Sequence, residues 1–216
     1  MNETKLEISK AEVNLLPLWR YEGTVVMLKT AADFEAAAAR LSTVTVIGID
    51  TETRPTFRKG VPGRPVALLQ LGLPDIVYLL RLNNDGLPDG IRAILEDPAI
   101  AKIGIGTRDD VRELQRDFDC VLKGVVDLNT VCRNLGYKSI GARKLTALIL
   151  GKRISKSQQT SNWENRTLTP AQIAYAATDA WICQEIYGKL PKPKAKKRRR
   201  RRRNRQASGE QPATGE

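Results

Sequence analysis

Histidine is absent from all 216 residues of this chain. That absence excludes Ser-His-Asp and Cys-His nucleophilic centres, histidine-ligated zinc, and imidazole as a general base. A reactive centre here must be assembled from carboxylates, hydroxyls, amines or metal ions. Cysteine is scarce: Cys120, Cys132 and Cys183 are odd in number, far apart, and fit neither a disulfide framework nor a zinc-ligand spacing. They read as buried free thiols, which suits a reducing cytosol. No run reaches the roughly 18 apolar residues of a membrane span. The N-terminus carries no apolar segment of the signal-peptide kind. A soluble, cytoplasmic protein without a membrane partner is therefore expected, with its oligomeric state left open.

The apolar fraction of 41% is enough for a real core, and the length suits one domain with some excess. The formal charge is +12, but its distribution matters more than its size. Residues 191–216 hold eleven Lys or Arg against two Glu, so +9 of the +12 lies there and the rest of the chain is nearly balanced at +3. Pro191 and Pro193 cannot continue a helix, and Lys196, Lys197, residues 198–203 and Arg205 form a dense cationic run. The segment reads as a disordered basic tail that attracts phosphate backbones without sequence preference. It also has the form of a nuclear localisation signal, which would place a eukaryotic protein in the nucleus. A plain solubility tail is the simpler alternative.

Residues 1–22 show no period and read as an irregular lead-in, followed by one folded body over 23–190. Strands are expected at Thr24–Leu28, 44–50, Val66–Gly72, 76–80, 102–106 and 124–127, from β-branched runs and alternation. Leu73-Pro74-Asp75 makes a hairpin of the third and fourth. Helices are expected at Ala31–Leu41, 90–96, 109–118, 128–135, 144–150 and 169–189. Strands first, then strands alternating with helices, imply a mixed sheet covered by helices. The last helix is the best defined: Thr169 caps it, Pro170 takes the first position and Gln172 completes a capping box.

Asp50 and Glu52 end an apolar strand. Residues two apart share a strand face, so their carboxylates stand side by side, which is costly unless a cation neutralises them. A solvated strand end is the bland reading. Tyr175 and Asp179 lie one turn apart on the last helix, among the small residues Ala176, Ala177 and Ala180. An acid in such a closely packed stretch needs a cation or hydrogen-bond donors. Asp109 and Asp110 open a helix, where acids also occur merely to complement its dipole. Phase distinguishes them, because Asp110 lies four before Leu114 and eight before Phe118 on the inward stripe. Four such acids suffice to hold two divalent cations about 4 Å apart, which can stabilise both the attacking and the leaving oxygen of phosphodiester hydrolysis.

The runs Gly48-Ile49-Asp50-Thr51-Glu52-Thr53, Gly104-Ile105-Gly106-Thr107-Arg108-Asp109-Asp110 and Tyr175-Ala176-Ala177-Thr178-Asp179-Ala180 resemble the three motifs of the DEDDy 3′–5′ exonuclease superfamily. Within it, the runs are similar to the ribonuclease D-like and Werner syndrome exonuclease-like domains. Gln159-Thr160-Ser161-Asn162-Trp163 is similar to the segment before the third motif. The likeness runs from about Leu41 to Lys189. It implies a ribonuclease H-like α/β fold, a mixed five-stranded sheet flanked by helices. It further implies two Mg²⁺ or Mn²⁺ ions, with Asp50 bridging both and Glu52 and Asp179 completing the first site. Asp110 would support the second ion through water, and Tyr175 would hold the attacking water. The partner implied is nucleic acid with a single-stranded 3′ end, RNA or DNA. The alternatives are a catalytically inactive nucleic-acid-binding module on the same fold, or an RNA- or ribosome-associated protein. Ribonuclease D carries C-terminal helical domains that this sequence lacks, so a tRNA-processing role is not implied. Trp163 reads as a packing residue and Asp127 as structural. Whether Arg54, Phe57, Arg58, Lys59 and Arg64 touch substrate stays open.

Overall fold

The computed structural model describes residues 5–56, 63–82 and 86–191. Phe57, Arg58, Lys59 and the basic tail beyond Pro191 lie outside the described residues. Thirteen elements follow along the rest: α1 (Lys10–Leu15), β1 (Thr24–Leu28), α2 (Ala31–Leu41), β2 (Val46–Thr53), β3 (Val66–Gly72), β4 (Ile76–Arg81), α3 (Asp89–Glu96), β5 (Ala101–Gly104), α4 (Arg108–Phe118), β6 (Val125–Asp127), α5 (Leu128–Asn134), α6 (Ala142–Leu150) and α7 (Pro170–Lys189).

The strands form one mixed sheet in the order β1-β4-β3-β2-β5-β6. β2, β3 and β4 pair antiparallel, whereas β1 joins β4 and β5 joins β2 and β6 in parallel. The sheet thus has six strands rather than the five that the family resemblance implies. The sixth, β6, adds only a three-residue edge. β2 also runs further than the sequence suggests, through Asp50 and Glu52 to Thr53, with an irregularity of register between Glu52 and Thr53.

Every residue of β3 is buried, as expected of a central strand covered on both faces. Leu68 packs into the core under α7, while Leu69 and Leu71 face the core under α2 and α3. The two cores hold the sheet between them, and α7 is the main cover on one side. Its seating depends on small residues. Gly48 and Gly72 pair directly across β2 and β3, and a methyl group on Gly48 would stand 2.0 Å from the carbonyl oxygen of Ala180. Gln184 then anchors the helix by donating to the carbonyls of Val46, at 3.2 Å, and Gly72.

The lead-in is not wholly irregular. Residues 10–15 form α1, opened by a capping box in which Ser9 and Glu12 satisfy each other's backbone N–H groups. The helix is short and buries only Val13, so it leaves no period to read. The capping pair itself was the available signal.

Candidate active site

Three elements deliver the candidate acids to the C-terminal end of the parallel strands, the usual position of sites in open α/β sheets. β2 presents Asp50 and Glu52 on the face covered by α7. α7 brings Asp179 to meet them, because its capping box and the glycine pair fix both its phase and its height. Carboxylate oxygens of Asp50, Glu52 and Asp179 all lie within 4.8 Å of one another. Asp110 stands beside this group of three rather than in it. It accepts a short hydrogen bond from the Thr51 hydroxyl, which ties α4 to β2 between the two strand acids. Asp109 points away, is exposed, and pairs with Arg112 at 3.0 Å.

Electrostatics make the cluster expensive. Burial, then the charges of Asp110, Asp179 and Glu52, hold the Asp50 carboxyl well above the ordinary carboxylate range. Burial and the same neighbours push Glu52 up to about 9. Asp179 is pushed up to about 7 by burial, against the Tyr175 hydroxyl that donates to it and the Lys156 ammonium nearby. Asp110 is raised by burial too, with the Thr51 hydroxyl opposing. Like charges this close do not ionise together without a cation, and an all-oxygen set suits a hard divalent one. The residues present therefore fit the metal site that the motifs imply.

A cleft of about 290 Å³ opens over these groups, lined also by Tyr175, Lys156 and Gln159. A larger cavity, about 770 Å³, is elsewhere. It lies at the far end of α7 around Val46, Pro74 and Tyr187, brings none of the clustered acids, and has no evident chemistry.

The profile of the 3′-5′ exonuclease family matches residues 25–193. The chain belongs to that family. A 3′-5′ exonuclease of Arabidopsis thaliana is 30% identical over 199 residues, 85% of this chain and 69% of that protein. The bifunctional 3′-5′ exonuclease/ATP-dependent helicase WRN of Mus musculus is 36% identical over 186 residues, but this chain spans only 13% of its length. Escherichia coli RNase D, described as an exoribonuclease involved in structured RNA processing, superposes with a TM-score of 0.70. It covers 77% of this chain and 44% of its own at 23% identity, so that likeness concerns the fold alone. The exonuclease assignment makes the chain a hydrolase, and the acid cluster agrees with metal binding.

The remaining residues sort cleanly. Trp163 is wholly buried, with its ring 5.9 Å from that of Tyr175, so it packs behind the site. Asp127 caps α5 through Asn129 at 3.0 Å and Thr130 at 2.9 Å, and also accepts from Gly106 at 2.8 Å, a structural role. The three thiols are free and buried. Sequence reasoning passed over Thr51, Lys156 and Glu164. It also passed over Gln70, which lies opposite Asp50 in the ladder, fully buried, with neither side-chain polar atom hydrogen bonded. A threonine in a strand and a lysine in a loop carry no signal of their own. For Thr51 the motif run around it was a pointer; for Lys156 there was none.

Proposed function

We propose that this exonuclease removes nucleotides from the 3′ end of a single-stranded nucleic acid by hydrolysis that depends on two divalent cations, Mg²⁺ or Mn²⁺. One observation carries the reading: three carboxylates from two elements converge within 4.8 Å, under burial that forbids their joint ionisation alone. In this reading Asp50, Glu52 and Asp179 would hold the cations, with Asp110 beside them as a further ligand. Bound there, the cations would polarise the scissile phosphate and stabilise charge on the attacking and leaving oxygens.

The chain's own groups do the rest. Burial, Asp179 and Glu52 push the Tyr175 phenol above its ordinary value, and its hydroxyl donates to Asp179. In this reading it is a hydrogen-bonding group that orients the attacking water. Lys156 reaches into an otherwise acidic cleft, where it meets an incoming phosphate and lowers the repulsion that the acids present. A single-stranded end is expected to be attacked before a paired one, because the 3′ terminus must reach in among the buried carboxylates. The basic tail, residues 191–216, would gather nucleic acid by charge alone.

Incubating 5′-labelled single-stranded RNA and DNA with Mg²⁺ or Mn²⁺ tests this. The expected product is a ladder that shortens from the 3′ end and vanishes in EDTA. Intact substrate in both metals, from folded protein, would sink the proposal.

A further inference from the structure

Glu164 stands where the loop after β2 meets the segment before α7, and its two oxygens face different guanidinium groups. Arg54 Nη1 lies 3.0 Å from Oε2, and Arg64 Nη1 lies 4.0 Å from Oε1. The arginines stand on either side of residues 55–63 in the sequence, Arg54 donating to the carboxylate and Arg64 facing it at ion-pair distance. Glu164 is itself well held. Its backbone N–H donates to Asn162 Oδ1 at 3.1 Å, and the Asn162 carbonyl accepts from Gln172 Nε2 at 3.2 Å. Gln172 is buried inside the cap of α7, and Trp163, the residue before Glu164, packs on Tyr175. The carboxylate is thus fixed to the helix that carries Tyr175 and Asp179. Arg54 follows Glu52 by two residues.

Two guanidinium groups against one carboxylate leave a positive charge over. The backbone of Arg64 is pinned by Arg116, which donates to its carbonyl at 3.2 Å, while the charge of Arg116 is matched by Asp117 at 2.6 Å. The surplus therefore rests on Arg54 and Arg64, whose side chains are 43% and 51% exposed. Each guanidinium offers five N–H donors in a rigid fork, so a single contact to Glu164 leaves others free to grip phosphate oxygens. Exposed ion pairs of this kind add little to stability, so stability does not account for the arrangement.

We propose that Glu164 is a positioning residue that holds Arg54 and Arg64 as a phosphate clamp. The clamp grips the nucleic-acid strand on its way to the cleft, at phosphates internal to the terminal one. The inference rests on the exonuclease reading and adds to it how the strand is held.

The test is anisotropy of a labelled single strand of about twelve nucleotides, within the usual span of such grooves, titrated in EDTA over a range of salt concentrations. EDTA prevents hydrolysis, so binding is read whether or not the chain cleaves. A wild-type cleavage control in Mn²⁺ judges the parent reading separately. Arg54→Ala and Arg64→Ala should each weaken binding about tenfold, the loss of one charge-assisted contact. Each should also reduce the slope of log affinity against log salt by about 0.7. Arg54→Lys should restore the slope without restoring the affinity, because charge returns and the fork does not. Glu164→Gln removes a negative charge close to an anionic ligand, yet it should weaken binding, because the arginines lose their anchor. With Mn²⁺ present, the same variants should raise KM far more than they lower kcat. Tighter binding by Glu164→Gln would overturn the proposal, showing that this carboxylate only repels the strand. Unchanged affinity and slope in both arginine variants would overturn it as well.

Discussion

Gly48→Ala is the most informative single change, because it perturbs the site without altering any polar side chain. The new methyl would stand 2.0 Å from the carbonyl oxygen of Ala180 and 3.0 Å from its carbon. Nonbonded contact needs about 3.5 Å, so strand and helix must part by roughly an ångström or more. Little can absorb that shift. The opposing atom is backbone, and Gln184 bonds the same helix to Val46 and Gly72. Overpacking of this sort costs about 1–3 kcal/mol. The functional loss should be larger than the stability loss suggests, since Ala180 follows Asp179 and the carboxylate moves with it. A misplacement of about 1 Å at a reacting centre can cost on the order of 10²-fold in rate. Cleavage of a 5′-labelled oligonucleotide, the thermal midpoint, and Mn²⁺ affinity by calorimetry should all fall together. Gly72→Ala makes a graded control, because its methyl meets α7 at 3.0 Å and should do less damage. Wild-type turnover and an unchanged midpoint in Gly48→Ala would refute the idea that close backbone approach sets the site.

Asp110→Asn should be severe and Asp109→Asn nearly silent in the same cleavage assay, since only Asp110 faces Thr51 and the acid cluster. Tyr175→Phe should slow turnover by about 10²-fold while leaving Mn²⁺ binding largely intact, as positioning of water is lost and the acids remain. The pH response follows from the raised carboxyls. Glu52 at about 9 and Asp179 at about 7 keep protons in the folded chain that the unfolded chain releases near pH 4. Their stabilising contribution is complete below that pH and is lost as pH rises through 7 and then 9. In EDTA the thermal midpoint should therefore fall across that window, and saturating Mg²⁺ or Mn²⁺ should remove most of the fall. A midpoint in EDTA that is flat or rises from pH 6 to 9 would contradict the electrostatic account, read by calorimetric scans at matched ionic strength.

Most elements were legible because their signals are local. Thr169, Pro170 and Gln172 fixed the start of α7, and with it the pairing of Tyr175 and Asp179 on one face. The strand period put Asp50 beside Glu52, and the apolar stripe through Leu114 turned Asp110 rather than Asp109 inward. What stayed hidden was relational. No pattern within residues 54–64 says that Arg54 and Arg64 face one carboxylate, Glu164, far along the chain, because ion pairing across a fold leaves no period. The hydroxyl of Thr51 looked like ordinary strand chemistry until α4 brought Asp110 to it. α1 escaped because six residues with one buried side chain cannot show amphipathicity.

The same features that make the site reactive work against the fold. Gly48 and Gly72, Ala176, Ala177 and Ala180 let α7 approach the sheet so closely that acids from both must share one small space. A larger residue at any of these positions would relieve the crowding of carboxylates and would also destroy their convergence. The cost of that convergence is concentrated where β2, α4 and α7 meet, and it is offset elsewhere, by two separate apolar cores and a fully buried central strand. Cations bound at this junction would therefore act on folding as well as on chemistry. They would replace the protons that Glu52 and Asp179 otherwise retain and join elements that repel each other without them.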